Sequence, residues 1–379
     1  GHGTHTAGIA AGNGAASQGI YRGIAYEASL LVVKLAPRSP LGFPQTTQIM
    51  EAVDFCIRKS IELKMPVSIN LSLGNTYGSH SGTSLLETYL NDVQGVYKTN
   101  IIVGSGNEGS SNGHTDGLLT NRNETIELSI GDFTPNLTIQ LWKKYWDTVA
   151  ITIEAPSGQS ARLDLSTGVQ RLNLDSASLY ITNSPPSPYS IFEETYIDML
   201  PTASYVSSGV WKIILSPIQI KDGQFDLWLP SATARNASTG FLASLPETTL
   251  TIPSTACKVI TVGAYNSYSD TLAAFSGRGF TWSTDFKKPD LVAPGVDIIS
   301  CAAGGGYSSK TGTSMAAPFV TGACALLMEW GIVRKNNPYM YGERIKAALI
   351  QGTRRLPFMS TLPSPEAGWG ALCLDFLLE

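Results

Sequence analysis

The segment Val67-Ser68-Ile69-Asn70-Leu71-Ser72-Leu73 decides the fold class. It is short and rich in branched apolar residues, as a strand buried in a parallel sheet must be. Ahead of it, Ile49, Val53, Ile57 and Ile61 recur every four positions between Thr47 and Lys64, which predicts a helix with one apolar face. Behind it, Ser84-Leu85-Leu86-Glu87 fits a capping box and predicts a helix running to near Lys98. Ile101 to Val103 then reads as a second strand.

The alternation continues in both directions. Towards the N-terminus, a helical segment from His2 to Ala11 stops at Gly12, and Leu30 to Leu35 is an apolar run suited to a buried strand. Towards the C-terminus, Lys258 to Val262 and Pro289 to Ser300 supply further strand segments. Ser314 to Trp330 and Gly342 to Gln351 read as helices. Strands alternating with helices imply an α/β fold with a parallel sheet covered on both faces.

Between about Gly117 and Thr251 the helix periods vanish. Short alternating segments replace them, among them Thr125 to Ile130, Leu137 to Trp142, Val149 to Glu154, Trp211 to Leu215 and Phe225 to Leu229. Turn signals such as Pro156-Ser157-Gly158 and Asp222-Gly223 separate them, and such a pattern predicts an antiparallel sandwich. The expected organisation is a discontinuous α/β domain, residues 1–116 and 252–379, interrupted by an all-β domain at 117–251.

Composition narrows the function. The 379 residues are 43% hydrophobic and 15% charged, which describes a chain with a substantial core. A formal net charge of −4 without long basic runs argues against nucleic acid as a partner. No stretch reads as the roughly 20 apolar residues of a membrane helix. The five cysteines, Cys56, Cys257, Cys301, Cys324 and Cys373, have no disulfide or metal spacing and are expected as free thiols. No targeting segment is recognisable, so the compartment is left open.

Two motifs carry chemistry. Gly312-Thr313-Ser314-Met315-Ala316-Ala317-Pro318 places a serine at a helix N-terminus, where backbone N–H groups and the helix dipole favour a developing negative charge. Gly1-His2-Gly3-Thr4-His5-Thr6-Ala7-Gly8 places a candidate base far upstream of it. With Ile69-Asn70-Leu71-Ser72-Leu73-Gly74 and Gly104-Ser105-Gly106-Asn107-Glu108-Gly109, these make four ordered blocks that resemble the subtilisin-like serine proteases, the subtilases. Ala273 to Gly279 and Lys288 to Gly295 add to the likeness.

The resemblance implies a subtilisin-like three-layer fold and an acyl-enzyme mechanism. It implies His2 as general base, Ser314 as nucleophile, Asn107 as oxyanion donor and His5 as a structural histidine. Ser72, Leu73 and Gly74 would pair with substrate main chain, while Gly104, Ser105 and Gly106 would wall the pocket for a substrate side chain. The β insertion and the segment Phe43 to Ile49 resemble the clostridial Csp spore-germination proteases, with their jelly-roll insertion. That likeness implies a protein precursor as substrate, a spore-associated location and a possible N-terminal propeptide. Some members of that group are silent pseudoproteases that bind a partner, which is the alternative reading.

Subtilases order their triad Asp, His, Ser, and no candidate aspartate precedes His2. The 379 residues alone are therefore expected to be nearly inactive. No cofactor is expected. Calcium, which many subtilases bind, would fall at Asn13 to Gly23, but that loop offers no carboxylate. An α/β-hydrolase elbow fails because Ala316 stands where it needs glycine, and no third ligand joins His2 and His5 in a metal site. His80 and His114, in Gly/Ser-rich surroundings, are expected in surface loops.

Overall fold

The structure is a computed structural model that describes residues 1–35, 43–165, 168–184, 190–281 and 286–375. In chain order its helices are α1 (His2–Ala11), α2 (Thr46–Leu63), α3 (Leu85–Val93), α4 (Thr313–Met328) and α5 (Glu343–Gln351). The strands before the β-rich stretch are β1 (Val67–Leu71) and β2 (Thr99–Gly104). Within it lie β3 (His114–Leu118), β4 (Glu124–Ile130), β5 (Leu137–Lys144), β6 (Thr148–Glu154), β7 (Ser160–Arg162) and β8 (Val169–Leu174). These continue as β9 (Ala177–Asn183), β10 (Phe192–Pro201), β11 (Gly209–Gln219), β12 (Gln224–Trp228) and β13 (Gly240–Phe241). After it come β14 (Ile260–Asn266), β15 (Thr271–Leu272), β16 (Leu291–Pro294), β17 (Ile298–Cys301) and β18 (Tyr307–Lys310).

The chain forms two compact units. The first comprises Gly1–Asn75, His80–Asn107 and Leu250–Glu379. Its sheet runs β1, β2, β14, β16 with all three pairings parallel, and β15 adds antiparallel to β14. Every residue of β2 is buried. Ile101 and Val103 face one core with Ile49, Val53 and Ile57 of α2 and Leu86 and Leu90 of α3. Ile102 faces the opposite core with Ala316, Val320 and Leu327 of α4 and Ile345 of α5. Helices thus cover both faces, the layering that period-2 strands without a polar face require.

The capping box holds as read: Ser84 Oγ accepts from Glu87 N at 3.3 Å and Glu87 Oε2 accepts from Ser84 N at 3.1 Å. That helix ends at Val93, short of Lys98, because Gly95, Tyr97 and Lys98 all take positive φ. In α2 the buried stripe is Ile49, Val53, Cys56, Ile57 and Ser60, while Ile61 is 47% exposed. Near the far edge, Lys288 Nζ is buried and donates to Val259 O (2.7 Å), Thr261 Oγ1 (3.0 Å) and Asp290 Oδ2 (2.6 Å). Lys346 of α5 closes on the other oxygen of Asp290 at 2.9 Å. Such a satisfied ionic cluster fixes the register of β14, β16 and α5.

Leu30 to Leu35 corrects the reading above. It forms no strand, and Leu30, Leu31, Val32 and Val33 are exposed. No strand pairs with it among the described residues, so its backbone has no ladder to join. A second correction concerns α4 and its π-helical continuation. Thr313–Val333 has the length and composition of a membrane helix, the one such helix among the described residues, but most of it is buried against the sheet.

The second unit comprises Thr76–Ser79 and Glu108–Thr249 and consists of two antiparallel sheets around one core. One is ordered β3-β12-β5-β10-β9-β8 and the other β13-β4-β11-β6-β7. The alternation read from sequence is the inward set: Ile126, Leu128 and Ile130 on β4, Trp211, Ile213 and Leu215 on β11, Leu137, Ile139 and Leu141 on β5. Its first strand starts at His114, ahead of the texture change at residue 117.

Candidate active site

Parallel α/β sheets open their ligand crevice beyond the carboxyl ends of the strands. The segments leaving β1 and β2 there are Ser72–Gly74 and Ser105–Asn107, and α4 presents its first turn beside them. Ser314 is the second residue of α4 and half-buried. The helix is entered through Gly312, whose φ of 145° suits glycine alone. A Cβ at Gly312 would stand 3.3 Å from Asn107 Nδ2, so the glycine also clears space at the amide.

The orientation of Asn107 is dictated by hydrogen bonding. Its Oδ1 accepts from Thr313 N at 3.0 Å and from Thr313 Oγ1 at 3.1 Å. A backbone N–H can only donate, so the amide oxygen must face Thr313 and the NH₂ group must point away. Thr313 Oγ1 in turn accepts from Gly106 N at 3.1 Å, which locks three residues of the site together. Asn107 is exposed, and its Nδ2 makes no hydrogen bond among the described residues. Thr313 N is bonded to Asn107 Oδ1 and Met315 N to Gly312 O at 3.0 Å, so the Ser314 N–H is the first-turn donor left, among the described residues, to join Asn107 Nδ2 towards an anion.

Ser72 joins the same constellation. Its Oγ donates to Ser314 O at 2.9 Å and accepts from Asn70 Nδ2 at 2.9 Å, while Ser314 Oγ lies 3.5 Å from Ser72 O. Ser72, Leu73 and Gly74 continue β1 beyond its paired part. Gly104 ends β2, and a Cβ there would press on Thr313 O at 3.2 Å. Ser105 is fully buried, with its N–H on Val262 O at 2.9 Å.

The histidines occupy α1, which packs on α4 and β17. His5 is buried, its Nε2 3.0 Å from Ser308 O, and its carbonyl accepts from Ser300 Oγ at 2.9 Å. Gly8 permits this close approach, since a Cβ there would collide with Ser300 Oγ and reach Cys301 Sγ at 3.0 Å. His2 is the first residue of α1 and exposed, and no hydrogen bond joins it to Ser314 among the described residues. Its pKa is held below the ordinary histidine value, first by desolvation of the partly covered ring and then by the nearby Lys310 and His5. The Lys310→Gln variant removes the lysine charge, so the His2 pKa rises. An NMR titration of the imidazole protons checks this, and an unchanged midpoint would contradict it.

Two residues of the site were not foreseen. Thr313 lies inside the serine motif, but its role depends on Asn107, 206 residues away. Thr251, on the segment returning from the second unit, hydrogen-bonds Ser105 O through its N–H at 3.0 Å. Neither contact has a periodic signal in the sequence.

His80 and His114 are corrections, for each is only 1% exposed. His80 Nδ1 meets Leu250 O at 2.7 Å. His114 Nε2 meets Asp226 Oδ1 at 2.8 Å and its ring stacks on Trp228 at 5.0 Å. Hydrogen-bonded imidazoles are buried readily, whatever the polarity of their neighbours in sequence. With Asp116, the last pair forms the one cluster of possible metal ligands among the described residues. The Asn13–Gly23 loop contains Arg22 and no carboxylate, a composition poorly suited to a hard cation.

This geometry agrees with comparisons to known proteins. The model of the subtilase family matches residues 1–185 and 236–370. Among solved structures, the Clostridium perfringens CspB protease is 40% identical, with a TM-score of 0.92 over 99% of this chain and 78% of that one. A thermophilic serine proteinase of Bacillus sp. (strain AK1) is 51% identical over 73 residues, 19% of this chain and 16% of that protein. Serine protease AprX of Bacillus subtilis (strain 168) is 36% identical over 125 residues, 28% of this chain and 27% of that protein. The match thus spans less than a third of either curated relative. A family match over most of the chain, on a parallel sheet whose carboxyl edge gathers Ser72, Asn107 and Ser314, leads to one conclusion: the chain belongs to the subtilase family.

Proposed function

We propose that the protein is a serine endopeptidase working through an acyl-enzyme. Ser314 Oγ attacks a peptide carbonyl, His2 takes the hydroxyl proton and returns it to the leaving amine, and water then releases the acyl group. Asn107 Nδ2 and the Ser314 backbone N–H hold the oxyanion. Ser72–Gly74 pairs with the extended substrate as an added strand, which binds peptide without reading its side chains. The substrate that the resemblance to the clostridial Csp germination proteases implies is a protein precursor activated in spore germination, and the 40% identity to the Clostridium perfringens CspB protease supports that resemblance.

The observation that carries this reading is the fixed amide of Asn107, whose oxygen is committed twice to Thr313. A silent partner-binding scaffold has no need of a donor locked beside a helix-first-turn serine, and His2 and Ser314 are both present. In the full-length protein, Asn107→Ala is expected to lower kcat by about 10²–10³ with KM little changed, the size of loss that removal of the oxyanion asparagine causes in subtilisin. A kcat within a few-fold of wild type would overturn the assignment.

A further inference from the structure

The sandwich of the second unit is open at one end. Between its two sheets, where β5 and β9 end and β6 and β10 begin, lies a cavity of about 580 Å³, a size within the range of small-molecule sites. We propose that this cavity binds a small amphipathic carboxylate, held by Arg162 at the mouth and by Lys143 and Asn183 on one wall.

The two walls differ in chemistry. On β5 the core-facing positions run Leu137, Ile139 and Leu141, and the next in that series is Lys143. On β10 Met199 and Ile197 lead through Thr195 to Glu193, and on β9 Leu179 and Ile181 lead to Asn183. Apolar series on three neighbouring strands thus turn polar at the same end, with Glu193 opposite Lys143 and Asn183 opposite Thr195. The facing wall, Val149, Leu163 and Leu165, stays apolar. A buried ion pair is seldom more stabilising than well-packed apolar residues, so stability does not account for the polar wall.

The hydrogen bonds already made show what is left for a ligand. Lys143 Nζ donates to Glu193 Oε2 and, at 2.7 Å, to Asp147 O, which uses two of its three hydrogens. Asn183 Nδ2 donates to Glu193 Oε1 at 2.7 Å, and its Oδ1 accepts from Thr195 Oγ1 at 2.8 Å. Both oxygens of Glu193 are therefore taken, while one ammonium and one amide hydrogen remain among the described residues. Asp147 is compensated too, because its carboxylate accepts from the N–H groups of Lys221, Asp222 and Gly223 at 2.6, 3.0 and 2.8 Å. Asp164, at the mouth, is itself engaged. Arg162 is exposed and has no hydrogen bond or ion pair among the described residues. The cavity thus offers donors, one of them an uncompensated guanidinium, whose fork matches a carboxylate. An apolar body behind that carboxylate would lie against Val149, Leu163 and Leu165.

The test is calorimetric titration of the full-length protein with decanoate, decan-1-ol and decylamine, repeated with R162Q and L165W. Decanoate is expected to bind wild type at one site per chain, about 10-fold or more tighter than the alcohol or the amine, the effect of one charge-assisted contact. R162Q is expected to bring decanoate down to the affinity of the alcohol and to leave the alcohol unchanged. L165W, which puts an indole into the apolar side, is expected to abolish binding of both. Arg162 is exposed, so R162Q keeps the fold, and a thermal melt checks L165W. If L165W unfolds, the ligand preferences of wild type and R162Q decide alone. Absence of saturable decanoate binding, equal affinity for the three ligands, or an undiminished carboxylate preference in R162Q overturns the proposal. Decanoate binding that persists in a folded L165W does so as well. The peptidase reading concerns Ser314 in the first unit and stands or falls separately.

Discussion

Ser314→Ala in the full-length protein is expected to lower kcat on peptide substrates by about 10⁶-fold, as loss of the nucleophile does in subtilisin. Ser314 lies in the first turn of α4, half-buried, with its Oγ beyond the strand ends and its nearest acceptor the Ser72 carbonyl at 3.5 Å. Such a long contact leaves the hydroxyl free to turn towards a base. Alanine is a better helix former than serine and preserves the fold around Gly312 and Thr313. The loss should therefore appear in kcat, with peptide binding retained through Ser72–Gly74. Measuring kcat and KM separately, with thermal unfolding as the control, checks the claim.

His2→Ala is expected to cost a similar factor, about 10⁶, and the double variant with Ser314→Ala should lose almost nothing more, because nucleophile and base act as one unit. The supporting observations are the helix that carries His2 and the charges around it. His5 and Gly8 hold α1 against β17 and β18, so the start of the helix is fixed relative to α4. Partial desolvation of the ring and the charge of Lys310 keep the imidazole neutral to lower pH than usual, which is the form a base needs. The acid limb of kcat/KM should accordingly move to higher pH in the Lys310→Gln variant. A double variant losing as much again as the two single ones combined would mean that His2 and Ser314 act separately.

Much of this was legible in the sequence because its causes are local. Ile101, Ile102 and Val103 are buried on both faces, and an unbroken apolar run says so. The Ser84–Glu87 box spans one helical turn and reads directly as a cap. What stayed hidden depends on partners distant in the chain. Leu30 to Val33 has the composition of a buried strand, yet composition cannot say whether an edge lies beside it. His114 looks like a loop residue until Asp226 and Trp228 are brought against it by the β3–β12 pairing. In the candidate site, Asn107 stands in a glycine-rich block visible in the sequence, whereas its bonds to Thr313 and the bond of Thr251 N to Ser105 O needed the fold.

The central claim is that Ser314 is an activated nucleophile, and a serine-directed fluorophosphonate tests it most directly. Incubated with the folded full-length protein and followed by peptide mass spectrometry, the probe is expected to label Ser314 stoichiometrically, to miss the Ser314→Ala variant, and to label His2→Ala far more slowly. A folded wild-type protein that takes up no label at Ser314 would contradict the account.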